Sequence, residues 1–355
     1  MSNLLDHVIS QFVDEKVIKI QPIGNGLIHK TWKVELLSQS IVLQQLNNSI
    51  FKNPIDICNN IIAISRHLGL KKDYPYEILN LILTNDQKPI YYIDNQFFRA
   101  TKYLENTLTI DVLDSPDIAF KVANAYGTFT KFLADFDSNS LRITIPDFHN
   151  GSKRYDELMT SIKLNKFKRV KYCSDLINKI INFHPITQKI DALKKDHLLP
   201  IRIVHYDTKI NNILLDKQNY SPKMIIDLDT TMPGTVLSDF GDMVRTATAT
   251  KDENETNIDL VNFDLNYFEN IVNGYLSAMG QEINVYEKSN LLNGGKYLIL
   301  MQSERFLTDY LNGDQYYSSQ YDNQNLDRAL NQMKLLESIM DQESDAMKIL
   351  NHYLK

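Results

Sequence analysis

The most informative stretch of the chain is His205-Tyr206-Asp207-Thr208-Lys209-Ile210-Asn211-Asn212, which has the spacing His-x-Asp-x-Lys-x-x-Asn. Asp207 can accept or orient the proton of a hydroxyl group, a role that typically contributes about 10²- to 10⁴-fold to a rate. Lys209 can face a phosphate, and the side-chain oxygen of Asn212 can ligate a metal. We interpret His205 as a structural residue that packs under this loop and holds it by hydrogen bonds.

Two apolar runs, 213–215 and 224–226, flank a polar turn directly after this loop and predict a β-hairpin. The hairpin is expected to deliver Asp227 beside Asn212. Asp229 follows two residues later on the same strand face, either as a second ligand or as a group that orients one through water. Because Mg²⁺ prefers oxygen ligands and keeps several waters, one Asp and one Asn suffice together with phosphate oxygens. The pattern therefore favours metal-dependent phosphoryl transfer from ATP.

A second acidic motif, Asp239-Phe240-Gly241, has the same sequence as the metal-binding tripeptide of protein kinases. It follows no predicted strand, and Asp227 already occupies the position after the hairpin. We therefore interpret Asp239 and Asp242 as carboxylates that brace the 205–212 loop rather than as metal ligands.

The first hundred residues alternate in hydrophobicity and predict a β-rich region. Gly24 and Gly26 lie in a turn whose backbone amides are candidates for phosphate binding. Leu104, Glu105 and Asn106 are predicted to form a hinge whose backbone meets an adenine edge, and Tyr103 directly before it is a further nucleotide-binding candidate. Strands are predicted at 17–23, 31–36, 40–46, 76–83, 89–93 and 96–103, with a helix that begins at Pro54 after the third strand.

From residue 110 onward the apolar spacing is mostly helical. Helices are predicted at 119–136, 154–165, 171–193, 256–280, 285–311 and 325–352, with a short strand at 200–204. The expected fold is α+β, a two-lobed protein-kinase-like fold with a β-rich N-terminal lobe and a mainly helical C-terminal lobe. The predicted domains are a nucleotide-binding lobe at 1–104 and a catalytic, substrate-binding lobe at 105–355.

The composition excludes several classes of protein. The 355-residue chain carries a net charge of −6, which argues against a partner such as nucleic acid or an anionic membrane surface. The two cysteines, Cys58 and Cys173, indicate a reducing compartment without a disulfide framework. The chain contains no apolar run of about 18 residues, and its first residues lack the basic start of a signal peptide, so a cytoplasmic location is expected.

Several longer phrases resemble the aminoglycoside phosphotransferase and choline kinase superfamily, and within it the N-acetylhexosamine 1-kinases. The catalytic loop pattern is shared by the whole superfamily, whereas the sequences at 207–212, 227–234 and 305–314 are narrower and resemble the hexosamine kinases. The resemblance covers residues from about 20 to 335 and rests on the segments 24–32, 42–47 with Phe51, 205–212, 226–234, 239–242 with Arg245, and 305–314.

The resemblance implies transfer of the γ-phosphate of ATP, with Mg²⁺, to the anomeric hydroxyl of N-acetylglucosamine or N-acetylgalactosamine. The matching sugar-contact positions are His29, Asp207, Arg305, and Tyr316 or Tyr317. A fixed fork of donors such as Arg305, together with aromatic surface, suits a neutral sugar. His29 could instead be a turn histidine that covers the glycine loop. Arg305 could instead form a surface ion pair with Glu304 or Asp309.

One position departs from the broader kinase pattern. The third strand carries Gln44 where most kinase folds place the lysine that holds the α- and β-phosphates, although the hexosamine kinases share this feature. Two other readings stay open: a kinase for an aminoglycoside, choline or homoserine-like amine, and a non-catalytic nucleotide-binding pseudokinase. The preferred acceptor and the oligomeric state are not determined by the sequence.

Overall fold

The structure is a computed structural model that describes residues 2–24 and 28–355. The chain divides into two compact units. The first comprises Met1–Thr109, Phe132–Pro146 and Asn212–Pro233, and the second comprises Ile110–Lys131, Asp147–Asn211 and Gly234–Lys355. The N-terminal region is built on β-sheet and the C-terminal region is helical, which confirms the predicted α+β fold class.

The strands and helices have the following bounds. The strands are β1 (Val17–Pro22), β2 (Lys30–Leu36), β3 (Ser40–Leu46), β4 (Leu81–Ile82), β5 (Tyr91–Ile93), β6 (Gln96–Lys102), β7 (Thr107–Leu108), β8 (Arg202–Val204), β9 (Ile213–Asp216), β10 (Pro222–Ile225) and β11 (Met232–Gly234). The helices are α1 (Ser2–Ile9), α2 (Pro54–Gly69), α3 (Pro116–Phe132), α4 (Gly151–Leu164), α5 (Ser174–Phe183), α6 (Pro185–Lys195), α7 (Val236–Ala247), α8 (Leu265–Met279), α9 (Val285–Ser289), α10 (Leu291–Leu311), α11 (Gln324–Asp341) and α12 (Glu343–Tyr353).

An antiparallel sheet with the order β1-β2-β3-β6-β4 forms the centre of the first unit, and β5 also pairs with β6. Alternate residues of β3 face the core, so Ile41 and Leu43 are fully buried against Phe98 of β6. Val8 and Ile9 of α1 join the same apolar cluster. The pairing of β3 with β6 places Gln44 directly opposite Arg99.

A smaller antiparallel sheet, with the order β10-β9-β7, also belongs to the first unit. The chain leaves β10 at Ile225 and reaches Asp227, whose φ of 56° lies in the left-handed region. A left-handed residue with a side chain is uncommon and ends the extended run of the strand. A short 3₁₀ turn, Leu228–Thr230, follows, and we call residues 226–231 the carboxylate turn.

Helix α10 is the centre of the second unit and packs against α4, α6, α7 and α11. Its contact with α7 is close because both helices present glycine there. A Cβ atom on Gly241 would lie 2.4 Å from the carbonyl oxygen of Gly294. The glycine of the Asp239-Phe240-Gly241 motif is therefore required by helix packing, and the whole motif lies inside α7.

Several predicted elements were wrong in their extent. The helix predicted at 171–193 is interrupted at His184, because Pro185 has no N–H to continue the α5 ladder and starts α6 instead. The helix predicted at 256–280 begins only at Leu265, where the side chain of Asp264 accepts hydrogen bonds from two backbone N–H groups. The helices predicted at 285–311 and 325–352 are each broken into two, at Asn290 and Gln342. The strand predicted at 76–83 is reduced to Leu81–Ile82.

Two further findings bear on the composition. Cys58 and Cys173 are both free and buried, and burial raises the pKa of each thiol to about 11, so neither is a reactive thiolate at neutral pH. Across residues 2–24 and 28–355, none of the helices has the length and apolar character that a membrane span requires.

Candidate functional site

The 205–212 loop is held from below by Asp239 of α7. One carboxylate oxygen of Asp239 accepts a hydrogen bond from the backbone N–H of His205 at 2.9 Å, and the other accepts one from Tyr206 at 2.8 Å. The Thr208 hydroxyl donates to the backbone oxygen of Asp239 at 2.7 Å. Burial raises the pKa of Asp239 to about 6, while these backbone bonds oppose that shift. Asp239 thus fixes the backbone on either side of Tyr206, whose φ is 67°.

His205 is completely buried under the same loop. Its Nδ1 accepts a hydrogen bond from the backbone N–H of Asp207 at 3.3 Å, and its ring lies edge-on to Tyr126 and Phe129 of α3. The Tyr126 hydroxyl donates to the backbone oxygen of Lys209 at 2.7 Å. These contacts order the loop from two sides, and they place His205 in the structure of the loop rather than at its surface.

The two candidate catalytic residues form an ion pair. Lys209 Nζ lies 3.4 Å from Asp207 Oδ1, and the carboxylate of Asp207 raises the pKa of Lys209. Asp242, one turn after Asp239 in α7, pairs with Arg245 at 2.9 Å, and Arg245 also reaches Glu253 at 3.2 Å. Asp242 is therefore engaged by a cation of its own helix, and burial raises its pKa.

Arg305 of α10 lies among aromatic rings instead of forming the surface ion pair considered above. Its guanidinium carbon is 5.6 Å from the ring centre of Phe148, 5.9 Å from that of Tyr316 and 5.5 Å from that of Tyr317. Its Nη1 donates to the side-chain oxygen of Gln302 at 3.1 Å. Among the residues that the structure describes, no carboxylate pairs with Arg305.

Asp309, one turn after Arg305, holds the segment that carries the two tyrosines. One carboxylate oxygen accepts the backbone N–H groups of Gln315 and Tyr316, each at 2.8 Å, and the other accepts that of Tyr317 at 2.8 Å. The side-chain amide of Asn325 also donates to Asp309 at 3.1 Å. This carboxylate is a loop anchor that presents Tyr316 and Tyr317 to Arg305, a role that sequence reasoning missed.

Phe148 and His149 were also missed, because a Phe-His pair in a predicted loop carries no recognisable pattern. The His149 ring stacks on Phe148 at 4.7 Å between ring centres and lies edge-on to Tyr206 at 4.9 Å. Burial, followed by the nearby cation of Arg305, holds the pKa of His149 well below its ordinary value. We call Phe148, His149, Tyr206, Arg305, Tyr316 and Tyr317 the Arg305 cluster; it connects Arg305 to the residue before Asp207.

In the first unit, the candidate metal ligands Asn212 and Asp227 lie at the two ends of the β9–β10 hairpin. The backbone N–H of Ile226 donates to the backbone oxygen of Asn212 at 2.9 Å, so the two ligand positions are held next to each other. No group of three or more His, Cys, Asp and Glu side chains that could hold a metal occurs in residues 2–24 and 28–355. A cation here would therefore depend on one amide, one carboxylate and ligands brought by a phosphate.

Asp229, the third candidate ligand, is already paired within the first unit. Its Oδ1 lies 2.6 Å from Arg99 Nη1, and its Oδ2 lies 2.7 Å from His29 Nε2. His29 Nδ1 accepts a hydrogen bond from the backbone N–H of Asn47 at 3.0 Å. Because Nδ1 is the acceptor, the ring proton lies on Nε2, which donates it in a hydrogen bond to Asp229. Both ring nitrogens of His29, a predicted sugar contact, are thus occupied within the protein.

Four of the predicted nucleotide-binding residues, Gly24, Tyr103, Leu104 and Glu105, also lie in the first unit. Gly24 has a φ of 75°, a conformation that glycine adopts without strain, whereas Gly26 lies outside the described residues. At the hinge, the backbone N–H of Tyr103 donates to Ser40 at 3.1 Å, and Lys33 lies both 4.0 Å from the Tyr103 ring centre and 3.2 Å from a Glu105 carboxylate oxygen. The backbone oxygen of Leu104 accepts the Thr107 hydroxyl at 2.7 Å.

A β-sheet N-terminal region, a helical C-terminal region and a braced His-x-Asp-x-Lys-x-x-Asn loop followed by a hairpin and Asp227 define a kinase-like phosphotransferase. The chain belongs to the APH group of proteins, the phosphotransferase enzyme family, whose family model matches residues 19–269.

Solved structures of small-molecule kinases share this fold. An aminoglycoside phosphotransferase from Alicyclobacillus acidocaldarius is 12% identical, with a TM-score of 0.63 over 98% of this chain and 94% of that chain. A spectinomycin phosphotransferase in complex with ADP and spectinomycin is 14% identical, with a TM-score of 0.59 over 95% and 98%. An ethanolamine kinase from Plasmodium vivax is 17% identical, with a TM-score of 0.55 over 93% and 86%. At these identities the similarity establishes the fold and leaves the acceptor open.

Proposed function

We propose that this chain is a kinase that uses ATP and Mg²⁺ to phosphorylate the anomeric hydroxyl of an N-acetylhexosamine, N-acetylglucosamine or N-acetylgalactosamine, to the sugar 1-phosphate. The observation that carries the proposal is the Arg305 cluster, in which one guanidinium is surrounded by aromatic rings and is connected through His149 and Tyr206 to Asp207. Aromatic surface with a few fixed donors is the kind of site that binds the apolar faces and hydroxyl groups of a sugar.

The charge of the Arg305 cluster favours a neutral acceptor over an amine. Its charged member is the cation Arg305, since burial and that cation keep His149 neutral. Asp309, a carboxylate one turn further along α10, already accepts hydrogen bonds from three backbone N–H groups and one side-chain amide. A cationic aminoglycoside, choline or ethanolamine would meet the like charge of Arg305 here, which disfavours an amine acceptor.

The proposed roles follow from the chemistry of each side chain. Asp207 orients the acceptor hydroxyl and takes its proton, while Lys209 balances charge on the transferred phosphoryl group. The ion pair between them, with Lys209 Nζ 3.4 Å from Asp207 Oδ1, places the cation directly beside the proposed base. His205 and Asp239 act on the reaction only by holding the backbone of this loop.

The donor set of the first unit fits Mg²⁺. Asn212 and Asp227 offer one amide and one carboxylate oxygen, the hard ligands that Mg²⁺ prefers, and a backbone hydrogen bond holds their two positions together. When bound, the cation would neutralise negative charge on the phosphate oxygens. The left-handed conformation of Asp227 turns the chain out of β10 at this point.

The proposal is tested by Mg²⁺-dependent release of ADP from ATP with one acceptor at a time: N-acetylglucosamine, N-acetylgalactosamine, glucose, galactose, kanamycin, choline and homoserine. We expect turnover with the N-acetylhexosamines. The matched control is the methyl glycoside of each N-acetylhexosamine, which keeps every group except the free anomeric hydroxyl and should give no ADP above background. Phosphorus NMR of the product should show a phosphate on the anomeric carbon.

Two results would replace this proposal. Turnover driven by kanamycin, choline or homoserine would identify an amine kinase. Binding of ATP without turnover on any acceptor would support a pseudokinase that binds nucleotide.

A further inference from the structure

A cation on a neighbouring strand lies beside the position where other kinase folds carry the strand lysine. Gln44 of β3 occupies the usual lysine position and lies directly opposite Arg99 of β6. Arg99 Nε donates to the side-chain oxygen of Gln44 at 2.9 Å, and Gln44 Nε2 in turn donates to the Thr31 hydroxyl at 3.3 Å. The neutral Gln44 side chain therefore orients a cation that comes from the next strand of the same sheet.

The carboxylate that pairs with this cation also comes from a different part of the chain than in protein kinases. In protein kinases the strand lysine pairs with a glutamate on the helix after the third strand. Here the buried residue of that helix, α2, that interacts with Arg99 is Cys58, a neutral thiol with a raised pKa. The carboxylate comes instead from Asp229, whose Oδ1 is 2.6 Å from Arg99 Nη1.

Burial shows that this pair is built into the fold. The side chains of Arg99 and Asp229 are 3% and 1% exposed, and His29 covers the second oxygen of Asp229. A buried charge needs a partner, so each of these two side chains stabilises the other. Each Asp229 oxygen already lies within 2.7 Å of a partner nitrogen, so the carboxylate is committed to Arg99 and His29 in this structure.

We propose that Arg99 and Asp229 are the cation–carboxylate pair of the nucleotide site, rearranged from β3 and α2 to β6 and the carboxylate turn. Arg99 is a positioning residue that acts through Asp229: it ties the turn carrying Asp227 to the sheet and adds positive charge near Asp227. Asp229 is the partner of Arg99 rather than a metal ligand. This inference rests on the proposed use of ATP, but it is independent of the acceptor.

The experiment measures the affinity for ADP with Mg²⁺ by calorimetry in the absence of acceptor, together with the unfolding temperature without nucleotide and the KM values for ATP and acceptor. Arg99→Met should weaken nucleotide binding by roughly tenfold or more, because a charge-assisted contact is lost. Arg99→Lys should keep most of the affinity. Gln44→Lys in the Arg99→Met background, which returns the cation to β3, should restore part of it.

Because Arg99→Met leaves Asp229 buried without its cation, Arg99→Met/Asp229→Asn is included as a variant that removes both charges. It should fold and still bind ADP weakly. Two results would overturn the inference: wild-type ADP affinity in this double variant, or no recovery in Arg99→Lys and Gln44→Lys/Arg99→Met although both unfold at the wild-type temperature. Failure of the wild-type chain to bind ADP at all would refute the proposed use of ATP itself.

Discussion

Asp207 and Lys209 form an ion pair in which Lys209 Nζ lies 3.4 Å from Asp207 Oδ1. The pair belongs to a loop whose backbone is held by Asp239 and by the ring of His205. The loop therefore presents a carboxylate and a cation in a fixed arrangement.

Asp207→Asn should lower kcat by about 10²- to 10⁴-fold, since the amide cannot accept the hydroxyl proton. Affinity for ADP with Mg²⁺ should change little, because the proposed nucleotide and metal contacts are other residues. Steady-state kinetics combined with calorimetry separates the two effects. Near-normal kcat in this variant would remove Asp207 from its proposed role as the base.

Arg305→Ala should raise the KM for the acceptor by roughly 10- to 100-fold while leaving the KM for ATP nearly unchanged, as expected when a pocket loses one polar anchor. Arg305→Lys should recover little, because an ammonium lacks the planar fork that lies among the three rings. Arg66→Ala, at an exposed arginine of α2, is the matched control. Equal changes in both KM values would place Arg305 outside the acceptor site.

Asp309→Asn should weaken both the loop and acceptor binding. The carboxylate accepts three backbone N–H groups, whereas an amide offers a single acceptor oxygen, so about 1–3 kcal/mol of unfolding free energy should be lost. Because the loop carries Tyr316 and Tyr317, the acceptor KM should rise as well. Chemical denaturation and kinetics on one preparation check both effects. A destabilised variant with an unchanged acceptor KM would exclude these tyrosines from the site.

Glu304→Gln should make the protein less sensitive to alkaline pH. Glu304 of α10 is fully buried, neither carboxylate oxygen has a hydrogen-bond partner in the described residues, and burial raises its pKa well above the ordinary value. Because the folded state holds this proton more tightly, the free energy of unfolding falls as the pH rises from the unfolded-state pKa through the folded-state pKa. Above the folded-state pKa, Glu304 is ionised in both states, and the free energy of unfolding falls no further through this group.

A glutamine of the same shape cannot ionise, so this part of the pH dependence should disappear. Denaturant unfolding of both proteins at several pH values between about 4 and 9 measures the difference across the range in which carboxyl groups titrate. Parallel stability curves for Glu304→Gln and the wild-type chain would show that the pKa of Glu304 is the same in the folded and unfolded states.

Asp227→Asn should raise the Mg²⁺ concentration needed for half-maximal activity, because one of the two proposed protein ligands loses its charge. Asp229→Asn provides the comparison on the same turn. It should weaken nucleotide binding through the loss of the Arg99 pair without a separate change in the apparent affinity for Mg²⁺. Titration of Mg²⁺ at saturating ATP distinguishes the two variants. Identical shifts would assign both carboxylates to the cation.

Local patterns in the sequence located most elements of the first unit. The third strand was predicted at 40–46, which is its range in the structure, because alternation of buried and polar residues on a paired strand is a local property. The strand predicted at 76–83 was too long. A strand extends only where a neighbouring strand offers backbone partners, and β6 pairs with only two residues of this segment, Leu81 and Ile82. The break at His184–Pro185 could have been read from the proline itself.

The candidate site likewise has features that the sequence predicted and features that it did not. The sequence alone determined the residues within one loop, since the spacing of Asp207, Lys209 and Asn212 is set by a few consecutive residues. The contacts of Arg99 with Asp229, of His149 with Tyr206 and of Asp309 with residues 315–317 became visible only in the folded chain. Burial and ion pairing depend on which side chains meet after folding, and residues 130 positions apart, such as Arg99 and Asp229, leave no local pattern of their contact.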